Sequence, residues 1–344
     1  MEPVLDAHAK PPASIREMYK KYQKATPESL LNPTDLVHIV PGQITCNARP
    51  AKDIKLSSDL RTSLQTFLGC NLGHGEYDPP VLDNIEPLVY EVPTLPGLYI
   101  YPSLLPPKVQ LELLEKLLHR DVSQPRHSTN VHLFHHVEYP PVNETGEHRS
   151  FFDPAAKGIR FEPIDTAVHK PFDNQQFLNK KLRWATLGGQ YDWTNKRYPA
   201  GRPPDFPEDI KQLVEDIFPM KAEAAIVNLY SPGDTLSLHR DVSEECNQPL
   251  TSISIGCDAI FIVGLGSDGS DEDAAVAIRL RSGDAVLMSG PSRYAWHGIP
   301  KVCKATCPDW LEEWPTTAEG TLYDEWKGWM ASKRVNLNIR QMFD

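Results

Sequence analysis

The chain has 344 residues, 40% of them hydrophobic, enough to bury the core of one large domain or two ordinary ones. Its 46 acidic and 35 basic residues leave a formal charge of −11, which excludes a generic basic coat for nucleic acid but not a local basic rim. No apolar run approaches the ~18 residues of a membrane span, and the opening MEPVLDAHAKPP, with Glu2 and Asp6 and no apolar stretch, is expected to be neither a secretory signal nor an Arg-rich transit peptide.

IREMYKKYQ (15–23) places Ile15, Met18, Tyr19 and Tyr22 at helical spacing. From about 25 to 95 the chain is rich in Pro, Asn, Asp and Gly with little periodicity, and reads as an irregular extension wrapping the core or as partly disordered. PGLYIYPSLLPPKVQLELLEKLLHR (96–120) reads as a strand, a Pro-rich turn and a helix with Val109, Leu113, Leu114, Leu117 and Leu118 on one face. The loop-rich stretch 121–182 holds His127, His132, His135 and His136. They could form a metal cluster, but with no carboxylate or Cys at a usual ligand spacing a polar surface loop is the preferred reading.

PEDIKQLVEDIF (207–218) is a second helix, with Ile210, Leu213, Val214 and Ile217 on one face and Glu208 and Asp209 in the first turn, where the helix dipole favours them. After it EAAIVNLY, TLSLH, TSISIG, AIFIVG, VAIRLRSGD and AVLMSG are short, β-rich and separated by Gly, Asp and Ser turns, an antiparallel pattern. The expected fold is α+β and mainly β: helices first, then a β-barrel or jelly roll over about 220–342. The six cysteines, Cys46, Cys70, Cys246, Cys257, Cys303 and Cys307, are expected to be free thiols in a reducing compartment, the nucleus or cytoplasm, with the mitochondrion left open. CKATC (303–307) lacks the CxxC spacing of zinc or redox pairs.

The chemistry gathers in this β-rich half. Strand alternation puts Asn228 and Tyr230 on one face of IVNLY, His239 and Asp241 on one face of LSLHRD, and Arg334, Asn336, Asn338 and Arg340 on one face of RVNLNIRQ. Solvated faces more often carry Lys, Glu and Thr. Two arginines on one strand face suit an anion, because a guanidinium fork fits a carboxylate bidentately. HxD alone could be a solvated strand end. With His297, after the SGD turn and the next strand, it has the composition of a facial triad of two His and one carboxylate, which holds Fe(II) and leaves three positions open.

NLYSPGDTLSLHRDVSE, SGDAVLMSGPSRYAWHGIP and RVNLNIRQ resemble the AlkB family of Fe(II)/2-oxoglutarate dioxygenases, and more closely its branch called AlkB homologue one. The likeness covers roughly residues 95–342 and is dense from 182 onward, which divides the chain into an extension (1–95) and a dioxygenase domain (96–344). The resemblance implies a double-stranded β-helix. It makes His239, Asp241 and His297 the iron ligands, Arg334 the partner of the distal carboxylate of 2-oxoglutarate, and Tyr230 and Asn336 its hydrogen-bonding neighbours. Arg340, assisted by Asn228, falls near the proximal carboxylate, so that Asp241 and Arg340 are the catalytic candidates. Ser243 stands where the founding bacterial enzyme has an acidic residue that helps read the base. The branch also has Ser there, which leaves base preference open; Asn338, where Thr is common, is a milder departure.

The implied reaction is oxidative demethylation of N-methylated adenine in nucleic acid, either N6-methyladenine in DNA or N1-methyladenosine in transfer RNA, releasing formaldehyde, succinate and CO2. LRWATLGGQYDW (182–193) resembles the nucleotide-recognition segment of the branch, a lid over about 182–199. Trp184, Tyr191 and Trp193 are candidates for stacking a flipped base, with core packing the equal alternative for the two tryptophans, and Lys196 and Arg197 are candidates for phosphate contacts. Single-stranded, bulged or loop-presented bases are the expected substrates of a monomeric chain that does not engage membranes. The rival classes are a protein or histone hydroxylase or demethylase on the same iron core, and a catalytically silent binding module; the complete triad and both arginines count against the latter.

Overall fold

Whether a strand is apolar on one face or on both decides where it lies in this fold. The structure, a computed structural model, describes the chain apart from residues 1–5, 7–8, 31–34, 41–42, 46, 52–58, 70–87, 193–197, 200–202, 267–273, 317–321 and 344. In chain order helix α1 (Ala13–Lys24) is followed by β1 (Leu36–Val40), β2 (Gln43–Thr45), β3 (Arg49–Pro50), α2 (Leu60–Phe67), β4 (Tyr90–Glu91), β5 (Leu98–Tyr101) and α3 (Pro107–Leu114), which runs on as a π-helix over Glu115–Asp121. Next come β6 (Arg160–Phe161), β7 (Phe172–Asp173), a short α4 (Asn174–Gln176), β8 (Trp184–Gly188) and α5 (Glu208–Ile217). The remainder is β9 (Ala224–Tyr230), β10 (Leu236–His239), β11 (Leu250–Gly256), β12 (Ala259–Leu265), β13 (Ala274–Leu280), β14 (Ala285–Met288), β15 (Trp296–Val302), α6 (Asp309–Glu312) and β16 (Arg334–Arg340).

The strands form a six-stranded sheet in the order β10-β15-β12-β13-β1-β2, an eight-stranded sheet in the order β3-β4-β5-β14-β11-β16-β9-β8, and the ribbon β6-β7. Every pairing among the described residues is antiparallel except that of β1 with β13. On β16 Val335, Leu337 and Ile339 join Val109 and Leu113 of α3 and Ile210 and Leu213 of α5 in the main apolar cluster. On β12 Ile260 and Ile262 pack with Ile15 and Tyr22 of α1 in a second cluster, while Phe261 and Val263 belong to the main one. Helices therefore cover the outer face of each sheet, and the polar face of β16 turns inward. This is a jelly roll, α+β and mainly β, with the C-terminal strand β16 in the interior of the larger sheet between β11 and β9.

Four expectations change in detail. The segment 25–95 is less irregular than its composition predicts: the apolar run LVHIV forms β1, which pairs in parallel with β13 at Leu36↔Ala277, and Leu60, Leu64 and Phe67 of α2 are buried in the main cluster. A five-residue strand is too short to show a period against its Pro- and Asn-rich flanks. The histidine loop is not simply a polar surface. His127 is fully buried with Nδ1 2.9 Å from the Asp121 carbonyl oxygen, and His132 Nε2 lies 3.0 Å from the Tyr139 hydroxyl. The first half of the 182–199 segment is sheet rather than lid, because Trp184–Gly188 pairs with β9 along its length. SRYAWHGIPKV, read only as the carrier of His297, contains the seven-residue strand β15 despite Gly298 and Pro300.

Candidate active site

Strands β10 and β15 pair antiparallel so that His239 stands opposite His297, with a bulge between this pair and Leu236↔Ile299. A bulge re-aims the side chains beyond it. Gly298 permits the approach, because a Cβ there would lie 2.8 Å from the Leu236 carbonyl oxygen. The two rings end 4.3 Å apart between centroids. Asp241 follows two residues after β10 ends, so strand alternation does not carry it to the site. Its Oδ1 lies 3.6 Å from His239 Nε2 and its Oδ2 4.0 Å from His297 Nε2.

The imidazoles are set up as ligands. His239 Nδ1 lies 2.9 Å from the Ser237 carbonyl oxygen and His297 Nδ1 3.0 Å from that of Ala295. A carbonyl can only accept, so each Nδ1 carries a proton, and in a neutral ring it is then Nε2 that presents the lone pair. His297 Nε2 is buried without a hydrogen-bond partner among the described residues. Burial, reinforced by the neighbouring His239, pushes the His297 imidazole down to about 4, which keeps it neutral at pH 7. Among the described residues only His239, Asp241 and His297 bring three such ligand atoms within 4.8 Å of one another. Two imidazole nitrogens and one carboxylate match the donor set of a facial Fe(II) site.

Asp241 is held as a carboxylate from the far sheet. Arg340 Nη2 donates to its Oδ2 at 2.6 Å, and Arg340 Nε lies 3.1 Å from Glu244 Oε1. Burial alone would raise the Asp241 carboxyl, but the Arg340 guanidinium and the two imidazoles hold it well below the usual carboxylate range. Burial works against the charge of Arg340, and Asp241, Tyr198 and Glu244 more than restore it.

At the opposite end of β16 Arg334 is 1% exposed and faces Tyr230 across the ladder. Its Nη2 donates to Ser254 Oγ at 2.9 Å, and its guanidinium lies 5.4 Å from the centre of the Tyr230 ring. Nε and Nη1 of Arg334 and the Tyr230 hydroxyl are buried with no partner among the described residues. A buried cation with two unpartnered nitrogens beside an unused hydroxyl fits a carboxylate. Asn336, between the arginines, gives its amide N–H groups to Ser252 Oγ at 2.8 Å and the Ile253 carbonyl at 2.9 Å. Only its amide oxygen is then left to face a ligand.

A cavity of about 200 Å³ opens beside His239 and Asp241, lined also by Asn228, Arg340, Tyr191, Tyr198 and Ser243. The Tyr191 hydroxyl lies 3.3 Å from Ser243 Oγ, and the Tyr191 and Tyr198 rings meet edge to face at 5.3 Å. Arg240 also lines the cavity, its guanidinium 4.2 Å from the centre of the Trp296 ring. Trp184 pairs with Asn228 in register but stands outside the cavity wall. Trp193, Lys196 and Arg197 lie outside the described residues. Sequence reasoning missed Tyr198, Arg240, Glu244 and Arg293. Of these, Arg240 and Glu244 flank the ligating aspartate and were within reach of the motif, whereas Tyr198 and Arg293 arrive only through the fold.

Comparison with known proteins agrees with this geometry. The sequence profile of the 2OG-Fe(II) oxygenase superfamily matches residues 97–340. A protein of Pyricularia oryzae named N6-methyladenosine RNA demethylase ALKB1 is 43% identical, over 98% of both chains. The tRNA demethylase abh1 of Schizosaccharomyces pombe is 38% identical, over 76% of this chain and 84% of its own. The DNA N(6)-methyladenine demethylase ALKBH1A of Arabidopsis thaliana is 31% identical, over 74% of this chain and 78% of its own.

Proposed function

The chain belongs to the 2OG-Fe(II) oxygenase superfamily, and on that footing we propose that it removes methyl groups oxidatively from N-methylated adenine in nucleic acid. The observation that carries this reading is the His239–Asp241–His297 set, two of whose members, His239 and Asp241, line a cavity that Tyr191 and Tyr198 also line. At about 200 Å³ the cavity is smaller than the roughly 300–1,000 Å³ of pockets for larger ligands. It suits one unstacked base.

His239, Asp241 and His297 would hold the metal, with Arg334 and Tyr230 holding the distal carboxylate of 2-oxoglutarate. When bound, Fe(II) and 2-oxoglutarate supply with O2 the oxidation of a methyl C–H to C–OH, with succinate and CO2 as co-products, and the N-hydroxymethyl product then releases formaldehyde. The protein groups do the positioning. Arg340 keeps Asp241 ionised, and the Ser237 and Ala295 carbonyls fix the imidazole tautomers. Tyr191 and Tyr198 line the cavity with their aromatic rings and Ser243 with its hydroxyl, in place of an acidic reader. Arg240, which lines the cavity and is held by Trp296 and the Gly266 carbonyl, is a candidate for contact with a backbone phosphate.

The relative matched over nearly the whole chain is named for N6-methyladenosine in RNA, so we place RNA first as the polymer. DNA N6-methyladenine and transfer-RNA N1-methyladenosine are the alternatives. The acidic balance offers little counter-charge to offset melting a duplex, a step costing a few kcal/mol per flipped base. A preference for single-stranded, bulged or loop-presented bases follows from that. No helix among the described residues is long and apolar enough to cross a membrane. The test is demethylation of one methyladenine placed in single-stranded, bulged and fully paired oligonucleotides of RNA and DNA, with a methylated peptide alongside. Faster turnover on the unpaired bases is expected. Equal or faster turnover on the matched duplex removes the presentation argument, and activity confined to the peptide removes the substrate class.

A further inference from the structure

We propose that Arg293 is a positioning residue of the metal centre, setting Asp241 through a buried chain of alternating charges that runs Arg293, Glu244, Arg340, Asp241. The inference rests on the assignment of His239, Asp241 and His297 as metal ligands.

Residues 241–249 join β10 to β11 without forming helix or strand, so no ladder of backbone hydrogen bonds fixes Asp241. Arg293 supplies that restraint. It lies in the turn Gly290–Tyr294, four residues before His297, and is 1% exposed. Its guanidinium is used in three directions: Nη1 donates to the Asp241 carbonyl at 2.9 Å, Nη2 to Glu244 Oε2 at 2.9 Å, and Nε to the Gln248 carbonyl at 2.8 Å. One side chain thus ties both ends and the middle of the ligand-bearing loop to the segment that leads into His297.

Glu244 relays the restraint. Its carboxylate, 3% exposed, meets Arg293 Nη2 through one oxygen and Arg340 Nε, at 3.1 Å, through the other. Arg340 then reaches Asp241 Oδ2 at 2.6 Å. Two cations and two carboxylates balance in a setting where an unmatched charge costs several kcal/mol. The chain fixes the Asp241 backbone from one side and its carboxylate from the other, as groups behind metal ligands commonly do. A planar fork is needed for this. Lysine at 293 would keep the charge and give up two of the three directions.

The experiment is titration of Mn(II) into the metal-free full chain, read by the electron paramagnetic resonance signal of free Mn(II). It compares wild type, Arg293→Lys and Glu244→Gln, with Tm measured for each. Groups behind the ligands typically contribute about 10–100-fold in metal affinity, so both variants are expected to bind Mn(II) at least fivefold more weakly than wild type. A merely structural role would lower Tm and leave Mn(II) affinity of the folded protein unchanged; weakening of less than fivefold in either folded variant overturns the proposal. If Arg293→Lys does not fold, Glu244→Gln decides by the same criterion. Absence of saturable Mn(II) binding by the wild type would overturn the metal assignment itself.

Discussion

Replacing Arg334 with lysine keeps the charge and removes the fork. Arg334 is 1% exposed and spends Nη2 on Ser254, leaving Nε and Nη1 for a ligand. If those two groups hold the distal carboxylate of 2-oxoglutarate, an ammonium can replace one contact and must give up the other. A charge-assisted hydrogen bond contributes roughly 1.5–3 kcal/mol. At about 1.4 kcal/mol per tenfold, the loss amounts to about 10–150-fold in Kd. Calorimetric titration of 2-oxoglutarate into the Mn(II)-loaded protein measures it, with the Tm of the variant reported beside it to separate binding from unfolding. A Kd within threefold of wild type, in a variant that remains folded, refutes the assignment of Arg334 as the anchor.

Ser254→Ala frees Nη2 without removing the guanidinium, so 2-oxoglutarate affinity should fall by no more than about tenfold, the worth of one ordinary hydrogen bond; a loss as large as that of Arg334→Lys would make Ser254 a direct ligand. Asp241→Asn should abolish saturable Mn(II) binding while preserving the far-ultraviolet circular dichroism of the fold, and retained binding would place the metal elsewhere. Tyr191→Phe should raise KM for a methylated oligonucleotide by about 2–10-fold, again the worth of one hydrogen bond, with 2-oxoglutarate turnover in the absence of substrate unchanged; a matching fall in that turnover would make Tyr191 part of the cofactor site. Burial pushes His127 down to about 4 from 6.5, so the unfolded chain binds more protons between these values. Its contribution, roughly 3 kcal/mol, is fully present above about pH 6.5 and is lost as pH falls towards 4. His127→Gln, which keeps a donor for the Asp121 carbonyl, should flatten the decline of Tm from pH 7 to pH 5, and an unchanged slope would move that sensitivity to another group.

The centre of this site was legible because its residues sit on strands or right beside one. Alternation alone sorts Arg334, Asn336, Asn338 and Arg340 from Val335, Leu337 and Ile339, and although all seven are buried the division holds in their partners, the apolar three joining the main core cluster and Arg340 reaching Asp241. HxD could be read because two ligands lie two residues apart. Even so, the link is not strand geometry: β10 ends at His239, and Asp241 is placed by Arg293 and Arg340. Those long-range partners were invisible because nothing in GPSRYAWHG marks an arginine whose three contacts lie 45 to 52 positions earlier. β1 was hidden for a related reason. A short apolar run has no period to measure, and its meaning appears only when β13 lies beside it. Trp184, in a segment resembling a lid, lies on an edge strand, a placement that its sequence neighbours do not announce.

Demethylation should consume 2-oxoglutarate and methyl groups together. Incubating the Fe(II)-loaded chain with a single-stranded RNA oligonucleotide carrying one N6-methyladenine, and measuring succinate, formaldehyde and the unmethylated oligonucleotide in the same sample by mass spectrometry, examines that coupling. Succinate formation stimulated by the methylated strand, with formaldehyde and demethylated product appearing in equal amounts and all three lost in Asp241→Asn, is the predicted result. Succinate formation that methylated DNA and RNA leave unchanged, with no formaldehyde from any methyladenine substrate, would contradict it.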